Sequence, residues 1–372
     1  MTTTSDATTS VLRYVDPIEG FRGYLALSGQ THTLAAGGLR VQTGLEETTI
    51  VRLAEAMALK ERLLGLAVDG AKAGIAYDPS SPGRHEALRR FIAFLRPQLL
   101  GRLSLGPDMG TGWAEIEGLA RDEGIESVKS AVGRAQGLDR EDFGRRITLL
   151  DARVNGLTLG QRRAGHALAH AALAAMDAAG LSRPAARVGI HGFGTLGRAA
   201  AKSLSEAGVI PAAVTHEHTC FRLDRQGDLT IAPLGDDLRL FDLPLDVLVL
   251  ASCEDVLSVE RAARLEVAAV VVGANLGLSP STEELLGSRG MLVVPDFVGG
   301  CGGSASMDAL FGAPDCPTPT GVLKQVGSRM EALVATMFTR TDGTARQAAM
   351  ALSEAVVAPG RPYGRWARSN GD

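Results

Sequence analysis

Apolar residues recur along this chain with two different textures. Between positions 47 and 66 they fall at Ile50, Leu53, Met57 and Leu64, near helical spacing, which predicts a helix there. A second helix is expected over 84–95, opening after Pro82-Gly83 and carrying Leu88, Phe91, Ile92 and Leu95 on one stripe. The run at 24–27 reads as a strand. From about position 158 the texture changes. An Ala-rich helix over 161–178 ends at Gly180, and short apolar runs then alternate with helical stretches. Strands are expected at 187–191, 209–215, 245–250, 268–272 and 291–294, with a helix over 196–207 closed by Gly208. Strands that are apolar along their whole length belong in a parallel sheet buried on both faces. The stretch from Arg222 to Asp228 reads as a hairpin turn inserted after the second of these strands. The chain from 321 to 357 reads as helical, and the Thr/Ser-rich positions 1–10 as a disordered tail.

Composition narrows the class. The 372 residues suggest about two domains. With 45% hydrophobic residues but only 4% aromatic, the chain suits small-residue packing of helices on a sheet. The net charge of -4 leaves no electrostatic footprint for nucleic acid or an anionic membrane. No apolar run reaches the ~18 residues of a spanning helix. The four cysteines, Cys220, Cys253, Cys301 and Cys316, make neither a disulfide framework nor a zinc pattern. His166 and His170 share a helix face, but no third ligand accompanies them, so no metal is expected. A cytoplasmic protein without nucleic-acid or membrane partners is the expectation. The 45 glycines are the anomaly, since the usual ~7% would give about 26.

Some of those glycines have a definite job. Gly192-Phe193-Gly194-Thr195-Leu196-Gly197 follows an expected strand and opens an expected helix. Gly192 permits the tight turn, Gly194 lets backbone N–H groups approach a pyrophosphate, and Gly197 lets helix and strand pack closely. The helix N-terminus adds partial positive charge. Thr215-His216-Glu217-His218 stands where a ribose-binding carboxylate is expected. Glu217 would hold a 2′-hydroxyl, whereas His216, His218 or Arg222 would favour a 2′-phosphate. NAD or NADP is therefore the expected cofactor, with NAD favoured.

The first part carries Lys60, the segment Gly70-Ala71-Lys72-Ala73-Gly74 and the segment Gly106-Pro107-Asp108-Met109-Gly110-Thr111. Lys72 is expected in a glycine-flanked loop, open to close approach by a small ligand. Two nearby ammonium groups lower each other's affinity for protons, which suits one of them to general-base work. Asp108, between Gly-Pro and Gly, is expected on a constrained turn suited to proton shuttling.

These pieces, with Gly37-Gly38-Leu39-Arg40, Met57-Ala58-Leu59-Lys60, Val272-Gly273-Ala274-Asn275, Val294-Pro295-Asp296-Phe297 and Gly302-Gly303, resemble the glutamate/leucine/phenylalanine/valine dehydrogenase family in order and spacing. The resemblance runs from about 20 to about 357. It implies an N-terminal α/β substrate domain over 1–157, with C-terminal helices from about 335–372 packing back on it. A Rossmann dinucleotide-binding domain would occupy 158–334, with a cleft between the two. It also implies a homo-oligomer. The implied reaction is reversible oxidative deamination of an L-amino acid to a 2-oxo acid and ammonia. Lys60 would hold the α-carboxylate, Lys72 would activate water and Asp108 would relay a proton. Gly38 would border the substrate. Cys253 and Asn275 would lie beside the cofactor.

Several positions depart from the family pattern. Ala36 stands where glutamate dehydrogenases carry a lysine for the side-chain carboxylate, and Met307 where they carry a serine, with Ser306 one place off. Together these imply an apolar or non-standard substrate side chain. Gly300 replaces a substrate-contacting asparagine, and Ala164 replaces a threonine beside the nicotinamide. Gly300 and Ala164 also keep open a non-catalytic cofactor-binding or regulatory protein on the same scaffold. A glutamate dehydrogenase with a rearranged pocket is the third reading.

Overall fold

The computed structural model describes residues 9–223, 229–340, 343–354 and 361–364. The chain divides into two compact units: residues 1–145 with 356–372, and residues 146–355.

The first unit is built on a five-stranded sheet. Its strands are β1 (Thr9–Val15), β2 (Arg22–Ser28), β3 (Ala35–Gln42), β4 (Asp69–Ala76) and β5 (Leu103–Pro107), in the order β1-β2-β4-β3-β5. β3 runs parallel to both β4 and β5, while β2 is antiparallel to β4 and to β1. The helices are α1 (Glu47–Leu63), α2 (Arg84–Leu100), α3 (Trp113–Asp122), α4 (Ser130–Gln136) and α5 (Arg140–Thr148), and the division between the units falls within α5. Side chains alternate across a strand, so each face is read from every second residue. One face carries Leu25, Leu27, Ala35, Leu39, Val41, Ala71, Ala73, Ile75, Leu103 and Leu105. These pack with Leu88, Phe91, Ile92 and Leu95 of α2 and with Ile116 and Leu119 of α3 into one apolar core. The expected helix face of α2 is thus the buried one.

Two expectations change here. Thr9 and Ser10 belong to β1 rather than to a tail, because β1 pairs along its full length with β2. Positions 70–74 form the middle of β4, not a loop. Glycine ordinarily weakens a strand, but Gly70 is where α1 packs down: a side chain there would meet the Ala54 carbonyl oxygen at 2.2 Å.

The second unit opens with the short pair β6 (Arg153–Val154) and β7 (Leu157–Thr158), then α6 (Leu159–Ala178). Thr158 and Gln161 close a capping box at the start of α6. There follow β8 (Val188–His191), α7 (Thr195–Glu206), β9 (Ala213–His216), β10 (Thr219–Leu223), β11 (Leu229–Asp236), β12 (Val247–Leu250), α8 (Val259–Ala262), β13 (Ala269–Val272), α9 (Pro280–Ser288) and β14 (Leu292–Val294). α10 (Asp296–Gly299), α11 (Gly302–Phe311), α12 (Pro319–Phe338) and α13 (Ala345–Ser353) complete it. The sheet order is β11-β10-β9-β8-β12-β13-β14, with β9, β8, β12, β13 and β14 parallel. This is the expected doubly wound arrangement. β10 and β11 form the antiparallel pair expected around Arg222, and its tip at 224–228 lies outside the described residues. The expected strand over 209–215 shortens to β9.

The C-terminal helices differ from expectation. α12 and α13 belong to the second unit. Gly327 of α12 has no side chain and lies against the His170 ring, where a Cβ would come within 2.8 Å, and His166 Nε2 is 3.0 Å from the Leu323 carbonyl oxygen. α13 is tied by Arg346 to Glu283 at 2.5 Å and to Asp296 at 2.8 Å. What returns to the first unit is the segment 361–364. There the Tyr363 amide donates to Gln136 Oε1 at 3.0 Å and the Ala67 amide to the Pro362 carbonyl at 3.3 Å. Among the described residues no helix is long and apolar enough to cross a membrane.

Candidate active site

The opposite face of the first sheet carries the chemistry. Gly38 of β3 pairs in register with Lys72 of β4 on one side and Gly106 of β5 on the other. Two positions along, Arg40 projects on the same face as Gly38. The Lys72 ammonium lies 2.7 Å from Asp108 Oδ2, and Arg40 Nε donates to the same oxygen at 2.7 Å. Lys72 and Arg40 are each 2% exposed. Arg40 is held in turn by Gln42 Oε1 at 3.0 Å.

Asp108 sits directly after β5, on the turn expected for it. The Asp108 amide donates to Thr111 Oγ1 at 3.0 Å, the Thr111 amide to the Asp108 carbonyl at 3.1 Å, and the Thr111 hydroxyl to the Leu39 carbonyl at 2.8 Å. Gly110 takes φ +73°, and a side chain there would strike the Val41 carbonyl oxygen at 2.3 Å. Burial alone would push the Asp108 carboxyl up. The Lys72 ammonium and the Arg40 guanidinium outweigh it and hold the group well below the usual carboxylate range. Asp108 therefore begins any reaction ionised.

Gly38 is the opening over this trio. A Cβ there would lie 3.1 Å from both Lys72 Nζ and Asp108 Cβ, so the missing side chain is what leaves space over the ammonium. Lys60, on the last turn of α1, is buried at 3% exposure. Ala36 lies on the Gly38 face of β3, 7% exposed. Arg40 closes the Gly37-Gly38-Leu39-Arg40 motif, which by itself gives it no role. Its signal was parity: on a strand it shares a face with Gly38.

In the second unit the cofactor candidates gather at the C-terminal ends of parallel strands, where open α/β sheets bind ligands. The turn Gly192-Phe193-Gly194 follows β8, His216 ends β9, and Glu217 follows it. Cys253 and Asn275 come just after β12 and β13. The turn fits a dinucleotide pyrophosphate. Gly192 has φ +96°, with its amide donating to Thr215 Oγ1 at 2.8 Å. A Cβ on Gly197 would overlap the Gly192 carbonyl oxygen at 1.9 Å, so the turn closes only without one. A Cβ on Gly194 would meet nothing within 4 Å, so the space before α7 is open. No side chain caps α7, which leaves its first N–H groups to face that space. Thr195 and Leu196 supply two of them. Glu217 and His218 take φ 46° and 63°, and Glu217 Oε1 lies 3.7 Å from His216 Nε2.

The remaining expected positions are more ordinary. Met307 is buried on α11, while Gly300 ends α10. Ser306 accepts from Arg163 Nη1 at 2.7 Å. Cys301 is buried with its thiol 3.4 Å from Met330 Sδ. His166 contacts Ser203 Oγ at 3.0 Å, and burial pushes its imidazole down to about 3, so it stays neutral. His170 pairs with Glu331 at 2.8 Å.

The chain as a whole is similar to known proteins. The family model described as the Glu/Leu/Phe/Val dehydrogenase dimerisation domain matches residues 6–122. The model described as glutamate/leucine/phenylalanine/valine dehydrogenase matches residues 222–310. Together they cover more than half of the chain, which belongs to this family of NAD(P)-dependent oxidoreductases acting on CH–NH2 groups. The glutamate dehydrogenase of Thermotoga maritima is 27% identical over 308 residues, 77% of this chain and 71% of that one. The NAD-specific glutamate dehydrogenase of Staphylococcus aureus is 26% identical over 315 residues, with 77% and 71% covered. Among solved structures, the hetero-hexameric glutamate dehydrogenase of Thermus thermophilus in its Leu-bound form superposes with TM-score 0.73 at 26% identity, covering 93% of this chain and 86% of that one. The L-tryptophan dehydrogenase of Nostoc punctiforme shares the fold at TM-score 0.61 and 18% identity, with 93% and 94% covered.

Proposed function

We propose that this chain catalyses the reversible oxidative deamination of an L-amino acid to a 2-oxo acid and ammonia, with NAD preferred over NADP. The observation that carries the reading is the Lys72–Asp108 ion pair under the bare Gly38. Bound NAD(P) supplies the hydride acceptor. The chain's side chains supply the rest. Lys60 attracts the α-carboxylate. Asp108, ionised, takes a proton from the substrate ammonium so that hydride can leave the α-carbon. Lys72 first gives up its own proton to solvent and, now neutral, takes a proton from water as that water adds to the imine carbon. Asp108 returns a proton to the departing ammonia. The balance is amino acid, water and oxidised cofactor to 2-oxo acid, ammonium, reduced cofactor and one proton. The Lys72–Asp108 contact at 2.7 Å gives that proton a direct path between the two groups.

Ala36 and Met307 place no charge where the family pattern meets the substrate side chain. The proposed substrate is therefore apolar, or non-standard with its polar group received elsewhere. Glu217 at the end of β9 supports NAD, as does the NAD-specific relative in Staphylococcus aureus. The match to a dimerisation domain supports a homo-oligomer. Among the described residues Cys220, Cys253, Cys301 and Cys316 form no disulfide, which accords with a reducing, cytoplasmic setting.

The test is a spectrophotometric scan at alkaline pH over a panel of L-amino acids, with NAD and with NADP. Reduced-nicotinamide absorbance with any of them supports deamination. None, with cofactor binding intact, overturns it in favour of a non-catalytic cofactor-binding protein.

A further inference from the structure

The bare strip of the first sheet continues past Gly38. Its register partner Gly106 is followed on that face, two positions back along β5, by Ser104, which pairs with Ala36. Ser104 is 1% exposed, and its hydroxyl has no hydrogen-bond partner. A buried hydroxyl without a partner leaves its desolvation uncompensated, so the site is poised to receive a polar atom. Lys129 reaches the same strip. Its residue is 4% exposed, and a Cβ on Gly106 would lie 3.7 Å from its Nζ. The backbone around it is fixed. The Leu105 amide donates to the Val128 carbonyl at 3.1 Å. The Lys129 amide donates to Ser127 Oγ at 3.0 Å, and that hydroxyl donates to Glu117 Oε1 at 2.8 Å. Glu117 also accepts from the Val128 amide at 3.0 Å. Lys129 is thus held beside β5 by the turn entering α4.

Two glycines side by side therefore form a floor with an ammonium near each. Lys72 stands by Gly38, and Lys129 by Gly106. The orphan Ser104 hydroxyl and the Ala36 methyl extend the Lys129 end. An apolar group at that end would leave Ser104 unsatisfied beside a cation. A carboxylate would accept from both.

We propose that Lys129 and Ser104 form the pocket for the substrate side chain, and that this side chain ends in a carboxylate. The proposal rests on the deamination reading and narrows it: the polar group is received at Lys129, not at position 36.

The test compares wild type, Lys129→Met and Ser104→Ala. Activity is measured on L-aspartate, L-glutamate, L-2-aminoadipate, L-leucine and L-phenylalanine. Binding of the corresponding 2-oxo acids is measured by calorimetry. An acidic amino acid should give the highest kcat/KM. Lys129→Met should raise its KM about tenfold or more, the loss of one charge-assisted contact, with kcat little changed. Leucine should be unaffected or improved. Ser104→Ala should raise the same KM about threefold. Which acid is best distinguishes glutamate from a non-standard substrate. An apolar preference with every acid's KM unmoved by Lys129→Met overturns the proposal. If wild type turns over nothing, yet a dicarboxylic 2-oxo acid binds and Lys129→Met weakens it about tenfold, the pocket stands and the deamination reading falls. Equal binding by wild type and variant overturns the pocket. Should Lys129→Met fail to fold, Ser104→Ala decides alone, and unchanged binding and KM there overturn the proposal.

Discussion

The two units use glycine for opposite purposes. On the first sheet, Gly38 and Gly106 remove side chains from the middle of a face, so that charged groups from neighbouring elements look onto a bare floor. In the second unit, Gly192 and Gly197 solve a backbone problem at a strand end, where one turn must close and one helix must pack. A face site demands that one side of a sheet stay only partly covered. An end site demands a tight turn and leaves both sheet faces free for helices. The two kinds of glycine should therefore fail differently when replaced.

The largest effect lies on the sheet face. Lys72→Ala should lower kcat by ~10²–10⁴, the range of a lost general base, while cofactor affinity measured by fluorescence stays near wild type. A rate near wild type would remove Lys72 from the chemistry.

The next effects separate the two glycines of the turn. Gly197→Ala forces a Cβ to within 1.9 Å of the Gly192 oxygen, so the backbone must shift. It should lower stability by ~1–3 kcal/mol in denaturant titration and also weaken cofactor binding. Gly194→Ala has open space around its Cβ and should leave Tm unchanged while weakening the cofactor alone. Equal losses of Tm in the two variants would erase the distinction between packing glycine and ligand glycine. Gly38→Ala should fall between them: its Cβ would press to 3.1 Å on Lys72 Nζ and Asp108 Cβ, so about a tenfold loss of kcat/KM should come with a Tm loss smaller than that of Gly197→Ala.

How much of this was legible in sequence follows from the same contrast. The strand-end turn was readable because its glycines, at 192, 194 and 197, lie close together in the chain and their spacing encodes one local geometry. The sheet-face site was readable only in pieces. Lys72 and Asp108 stood out by their glycine neighbours, but Gly70 and Gly74 disguised β4 as a loop. Arg40 carries only its strand parity with Gly38, and Ser104 and Lys129 carry no local signal. Each matters only because the order β4-β3-β5 sets Lys72, Gly38 and Gly106 in one row. The C-terminal helices were misplaced for a similar reason. Gly327 shows what it is for only when the His170 ring is seen against it.

Acid stability probes the first unit away from its site. Asp16 is 2% exposed, and Arg90 Nε donates to it at 2.7 Å. Burial would raise its carboxyl, but Arg90, the Glu19 and Ile18 amides and the Tyr14 hydroxyl together hold it well below the usual range. A depressed carboxyl contributes stability fully above its unfolded value near 4 and loses it as pH falls below that. Wild type should therefore lose stability between pH 5 and pH 3 more steeply than Asp16→Asn, read by urea unfolding at each pH. Parallel slopes would show that the Asp16 pair does not drive acid unfolding.

The smallest effect belongs to the strand-end site and tests its specificity rather than its existence. Glu217 follows β9 at φ 46° and is largely solvent-exposed, so it contributes little to the fold. A carboxylate there accepts hydrogen bonds from ribose hydroxyls and repels a 2′-phosphate. Glu217→Ala removes both influences. The Kd for NAD should rise about threefold and that for NADP should fall by a similar factor, each within the ~1 kcal/mol of an exposed charge. Screening sharpens the reading, because repulsion of the phosphate weakens with salt while the hydroxyl contact does not. The gain in NADP affinity should therefore shrink at high ionic strength, and the loss of NAD affinity should persist. A Kd ratio unmoved by Glu217→Ala would shift the discrimination to His216 and His218, and with it the preference to NADP.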